Sequence, residues 1–234
     1  LHQWYWRHLF ARFGAFRSVH SWELVNEEAP GPGDHFLLAA DLARAAQADG
    51  NPHLASTSTW ATLAEDAWKW SPAAPIHYAD FHCYVNNTGW IEPRAALASD
   101  SARFFHEYDE YVRAAALGKP VVWGEQGIDG PSSTDDQDPQ VALDNWGVWL
   151  HKILWARCGP GGVYPLYWWT DNIFDKPLHA RYGAWKRFMT GEPLNNGRYQ
   201  DAQATSTATA LRVMGQKDLT ACLLYTSDAA DDLL

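Results

Sequence analysis

Cysteine is scarce in this sequence: Cys83, Cys158 and Cys222 are the only three among 234 residues. They are widely spaced and form no CxxC pair, so the common zinc and dithiol patterns are excluded and the redox compartment stays unread. Long apolar runs are absent too, and no segment approaches the ~20 residues that a membrane-spanning helix needs. Basic stripes are missing, and the formal net charge is −10, which argues against a nucleic-acid partner. There is neither a GxGxxG nor a phosphate-binding loop, so a nucleotide-binding doubly wound sheet has no support. Tryptophan, by contrast, is abundant at 14 residues. Indole faces suit the C–H faces of sugar rings as well as they suit a protein core, and composition alone does not choose between the two.

Short apolar or β-branched runs alternate with helical patterns, which predicts a parallel α/β sheet. Candidate strands are 18–26, 53–58, 76–84, 120–125 and 162–168. Between them the pattern predicts helices from Asp34, as N-cap, to about Ala48, from about Asp100 to Ala116 with Gly118 beyond the end, and from Pro139 to about Arg157. A last helix is expected over about 180–189. Polar and acidic residues gather at the C-terminal ends of the strands, where (β/α)8 barrels place their chemistry. From Gln200 the pattern changes, and Thr205–Met214 alternates like a strand.

Two strand ends carry the strongest chemical signals. In Trp22-Glu-Leu-Val-Asn-Glu27 a strand ends in an amide and a carboxylate just before the Pro/Gly stretch 30–33. In Val121-Val-Trp-Gly-Glu-Gln-Gly127 an apolar strand ends in a single carboxylate flanked by glycines, and glycine permits close approach to the backbone. Glycoside hydrolysis needs two carboxyl groups flanking one bond, one of them protonated when the leaving oxygen departs. Glu27 and Glu125 meet that need on separate strands. Glu23 and Glu28 are rivals for the role of Glu27. Strand alternation places Glu23 on the same face but about 13 Å deeper, at ~3.3 Å per residue, and predicts a buried structural carboxylate. Glu28 reads as a loop residue.

These motifs resemble clan A of the glycoside hydrolases, near the family 5-type cellulases and mannanases. The resemblance runs from about Trp4 to Leu194. It implies a (β/α)8 barrel of which roughly strands 4–8 are present, acting as a retaining hydrolase on β-glycosidic bonds of a poly- or oligosaccharide, with no cofactor. Glu27 takes the position of the acid/base and Glu125 that of the nucleophile. Asn26 corresponds to the sugar-binding amide. His82 and Tyr84 resemble the His-x-Tyr pair of the sixth strand, whose tyrosine bonds the nucleophile and whose histidine lines the sugar subsite. Trp168, or its neighbour Trp169, resembles the tryptophan on the subsite floor. Gln126 departs from the Phe of many relatives, and the Arg and the His or Asn of the earlier strands are not in the chain.

Two other readings compete: a carbohydrate-binding barrel without activity, and a clan A exo-glycosidase of β-galactosidase or xylosidase type. Trp60, Trp90 and Trp123 are candidates for further stacking subsites, with core packing favoured for Trp123. Asp80 and His77 read as structural. The acidic stretch 129–138 has several oxygen ligands but no EF-hand pattern, so a solvated loop is favoured over a calcium site. The partner expected is a carbohydrate, with no nucleic acid, no membrane and an open oligomeric state; the family resemblance favours a secreted or periplasmic location. The organisation expected is a partial barrel over 1–197, the start of a β-rich domain over 198–221, and a tail over 222–234. That tail resembles an in-frame translation of a sequencing adapter, which would mark a metagenomic fragment. Without its three aspartates the net charge moves only from −10 to −7. Unpaired edge strands in such a half-barrel predict an inactive, aggregation-prone chain.

Overall fold

The computed structural model describes residues 1–27, 34–60, 75–85, 100, 102–103, 105–106, 118–128, 138–156, 162–163, 170–193, 196–202, 204–208, 211–218 and 222–228. The chain forms two compact units. The first is Leu1–Cys83 with Tyr111–Gly124, and the second is Tyr84–Glu110 with Glu125–Leu234.

The first unit opens with α1 (His2–Phe13), whose Phe10 is buried. Trp6 stacks on Phe10 at 5.5 Å, and Phe10 meets Trp22 edge-on at the same distance. This apolar cluster seats the start of β1 (Ser21–Glu23). Helix α2 (Asp34–Ala48) buries Phe36, Ala39, Ala40, Ala43 and Ala46, a stripe at helical spacing. Its small residues let the helix lie close to what it covers, which includes α1.

Strands β2 (Leu54–Ser56) and β3 (Ser58–Trp60) follow each other directly, separated only by Thr57. β1 pairs parallel with β2, with Trp22 opposite Ala55, and β3 pairs parallel with β4 (Ala79–Val85), with Ser58 opposite Asp80. The second of the expected strands is thus two short ones, and each half serves a different neighbour. The first expected strand stops at Glu23 rather than Asn26: the chain bends at Leu24 and Val25, although Leu24 N–H still donates to the Ser56 carbonyl and the Val25 carbonyl accepts the Ser58 N–H. The fourth runs on past Glu125, since β5 spans Val121–Ile128. Strand order in the larger sheet is β3-β4-β5-β6, with β6 at Gly162–Val163. Successive strands are therefore neighbours in this sheet.

In the second unit the helix expected from Pro139 to Arg157 is two helices, α3 (Pro139–Leu143) and α4 (Val148–Ala156). Asp144 interrupts it: its carboxylate accepts the Trp146 and Trp149 N–H groups at 3.2 and 3.0 Å. Gly147 then turns the chain at a φ of 67°. A side chain that caps a new helix competes with continuation of the old one. α5 (Thr170–Asp175) and α6 (His179–Met189) follow, and Trp155 of α4 packs edge-on against Phe188 of α6 at 4.9 Å. β7 (Gln200–Asp201), β8 (Leu211–Lys217) and β9 (Cys222–Asp228) make an antiparallel sheet, with Leu211 opposite Asp228. Strand β9 lies within the adapter-like tail. Among the described residues, no helix is long and apolar enough to cross a membrane.

Candidate functional site

Glu27 follows β1 in an unusual backbone conformation, with φ at 48°. Non-glycine residues rarely adopt positive φ, and the strain persists only where the surroundings enforce it. Here a row of buried hydroxyls enforces it. Leu24 N–H donates to the Ser56 carbonyl at 2.8 Å, the Thr57 hydroxyl donates to the Val25 carbonyl at 2.7 Å, and Glu27 N–H donates to Ser58 Oγ at 2.8 Å. Ser56, Thr57 and Ser58 are fully buried. Their run of small hydroxylated residues is the signal of this role in the sequence, where the pattern predicts only a strand.

The turn changes where the first carboxylates lie. Glu27 Oε1 is 2.8 Å from His82 Nδ1, while Glu23 Oε1 is 4.0 Å from His82 Nε2. The two glutamates thus converge on one imidazole from opposite sides. Their carboxylates therefore stand closer together than the ~13 Å expected along a straight strand, which ends at Glu23 and bends at Leu24 and Val25. The His82 side chain is only 3% exposed, against 37% for Glu27. Asn26 is exposed.

Asp80 completes this cluster. Its Oδ1 accepts the Gly124 N–H at 2.9 Å and lies 4.0 Å from His82 Nε2. A β-carbon at Gly124 would run into the Asp80 carboxylate and come within 3.0 Å of His82 Nε2. What approaches the backbone at this glycine is therefore the protein's own carboxylate and imidazole. The donor atoms of Glu23, Asp80 and His82 lie within 4.8 Å of one another, a spacing a cation could bridge, although the Gly124 N–H already occupies one Asp80 oxygen. Close by, Tyr78 donates or accepts at 2.7 Å with Ser21, and burial pushes its hydroxyl pKa up. His77 serves the backbone, its Nδ1 accepting the Ala55 N–H at 2.9 Å.

In the second unit the Tyr84 hydroxyl donates to Glu125 Oε2 at 2.7 Å. Both side chains are half-buried. A phenol donating to a carboxylate favours its ionised form and fixes its orientation. Gln126, the next residue, is fully buried, and neither of its side-chain amide atoms has a hydrogen-bond partner among the described residues.

No known protein family and no curated protein matches the chain by sequence. Solved structures do match by shape. The β-glucuronidase of Ruminococcus gnavus in complex with uronic isofagomine aligns with a TM-score of 0.52 at 16% identity, over 71% of this chain and 28% of that one. The same enzyme with uronic deoxynojirimycin aligns with a TM-score of 0.50 at 16% identity, with the same coverage. The fold is glycosidase-like. This chain thus spans under a third of the length of the structures it matches, and the likeness lends no support to a family 5 placement.

Of the residues singled out from sequence, Trp123 is buried in the core, and Asp138 caps α3 by accepting the Gln140 N–H at 2.7 Å. Trp90, Trp168, Trp169, Glu28 and the stretch 129–137 lie outside the described residues, as does the side chain of Trp60.

Proposed function

We propose that the chain is part of a retaining glycoside hydrolase in which Glu125 is the nucleophile and Glu27 the acid/base. The observation that carries the reading is the Tyr84–Glu125 hydrogen bond, 2.7 Å long, on a chain with a glycosidase-like fold. A carboxylate kept ionised and aligned by a phenol is prepared to attack an anomeric carbon. Glu27 suits the other role: it is partly exposed, strained into its position, and bonded to a buried imidazole. In the first step Glu125 bonds to the anomeric carbon while Glu27 gives its proton to the leaving oxygen. In the second, Glu27 takes a proton from the water that hydrolyses the glycosyl-enzyme. That sequence requires the two carboxyl groups to stand about 5–5.5 Å apart. Asn26 and Trp168 (or Trp169) are the residues we assign to sugar contact, and no cofactor enters the steps.

The second reading concerns the substrate. The motif resemblance points to cellulases and mannanases, whereas the fold likeness is to a β-glucuronidase. A panel of 2-deoxy-2-fluoro glycosyl fluorides (glucosyl, mannosyl, galactosyl, xylosyl and glucuronyl), followed by peptide mass mapping, tests both. The expected outcome is a single label on Glu125, and the sugar that labels fastest names the subsite. A label on any other residue overturns the nucleophile assignment.

A further inference from the structure

We infer that Glu23 and Asp80 are positioning residues that keep a proton on His82 Nε2, so that Nδ1 exchanges a proton with Glu27. The inference rests on the reading of Glu27 as the acid/base. The imidazole is 3% exposed and has two polar sides. Glu27 faces Nδ1 at 2.8 Å, while Glu23 Oε1 and Asp80 Oδ1 face Nε2, each at 4.0 Å. Glu23 Oε1 is buried and has no hydrogen-bond partner among the described residues, so its charge is unscreened on that side. Gly124 leaves the space around Nε2 clear, where a β-carbon would stand 3.0 Å away. A lone pair on Nε2 would lie 4.0 Å from two carboxylate oxygens that repel it, whereas an N–H there is attracted by both.

With Nε2 protonated, His82 has two states that differ only at Nδ1. In one, Nδ1 accepts the O–H of a protonated Glu27. In the other, Nδ1–H donates to the Glu27 carboxylate. One proton crossing a 2.8 Å gap interconverts them, and the ring does not rotate. The remaining neutral form, with the proton on Nδ1 alone, would hold Glu27 as a carboxylate, which is the wrong state for an acid. In the first step the exchangeable proton goes to the leaving oxygen as the C–O bond electrons move onto that oxygen. In the second step the attacking water returns it to Glu27.

Two measurements test this, the protonation on this chain and the kinetics on the full-length enzyme that contains it. With 15N-labelled histidine, and His82→Gln to assign the signal, the His82 Nε2 of the native chain is expected to carry a proton at neutral pH. In Glu23→Gln, whose amide can donate to Nε2, the proton is expected to move to Nδ1. Asp80→Asn, which keeps an acceptor for the Gly124 N–H, is expected to weaken the preference in the same direction. An Nε2 without a proton in the native chain, bare or on a metal ion, overturns the inference. The second measurement compares leaving groups. Glu23→Gln is expected to lower kcat/KM about tenfold on an alkyl glycoside, a small part of the ~10²–10⁴-fold that a general acid supplies. On a dinitrophenyl glycoside, which leaves without a proton, it is expected to lower kcat/KM less than about twofold. Equal losses on both substrates indicate a structural role and overturn the inference. Protonation as expected with no turnover of any glycoside strikes only the acid/base reading.

Discussion

A phenol 2.7 Å from a carboxylate makes one of the stronger hydrogen bonds available to a side chain, because the acceptor is charged. Replacing Tyr84 by Phe removes the donor and keeps the ring. Bonds to charged groups contribute ~1.5–3 kcal/mol, which corresponds to about a 10–100-fold slower formation of the glycosyl-enzyme. The rate of labelling by a fluoro glycoside reads that loss, and an unchanged rate would show that Tyr84 does not assist Glu125. A second phenol obeys the same physics without any catalytic part. Tyr199 donates to Glu192 Oε2 at 2.6 Å, and that hydrogen bond raises the Tyr199 pKa to about 12. The neutral hydroxyl is thus favoured in the folded state. Its contribution to stability is present below pH 10, the usual tyrosine value, and is lost as pH rises through about 12. In Glu192→Gln the phenolate absorbance of Tyr199 should appear about one to two pH units earlier. Gln126 shows the limit of reasoning from residue type. It departs from the Phe of many relatives, and it is fully buried with its amide unpaired among the described residues.

At the scale of elements, the strands and helices with clean periodicity were legible. α2 spans Asp34–Ala48 and α6 spans His179–Met189, each close to its apolar stripe and its bounding residues. What periodicity could not show is where a side chain takes over from the ladder. Asp144 splits one expected helix by capping the next, and the hydroxyls of Thr57 and Ser58 hold Val25 and Glu27 beyond the end of β1. The approach of β4 to β5 at Gly124 is another such place. Gly124→Ala sets a methyl group against the Asp80 carboxylate, and neither backbone can yield without losing the Gly124 N–H bond to Asp80. Overpacking of this kind costs ~1–3 kcal/mol. A lower denaturant midpoint with an unchanged slope is the expected result, and a midpoint within error of the parent would mean that Asp80 rotates away freely.

Across the whole molecule, charge and exposed apolar surface act together. The formal charge is −10 at pH 7, and the isoelectric point is near 5.4. Leu1, Trp4, Tyr5, Leu143, Trp146 and Phe174 are exposed, and self-repulsion is what keeps such surfaces apart in solution. Light scattering is therefore expected to peak near pH 5.4 and to fall as pH rises to neutrality, where each molecule is strongly anionic. Scattering that is flat across that range would remove charge as the factor controlling association. The sequence by itself determined the α/β class, the alternation of strands and helices, and the choice of Glu27 and Glu125 as candidate carboxylates, since these follow from local periodicity and from the chemistry of single residues; that Glu125 lies inside β5 and Glu27 beyond β1 did not follow. Only the tertiary structure decided that Glu23, Glu27 and Asp80 meet around one buried imidazole, whereas the Tyr84–Glu125 bond was already implied by the motif resemblance. That meeting depends on the bend that ends at Glu27, held by hydroxyls 31 and 32 residues away in the chain, and on strand pairing in the sheet. Neither leaves a trace in local periodicity, because each is set by a hydrogen bond between residues far apart in sequence.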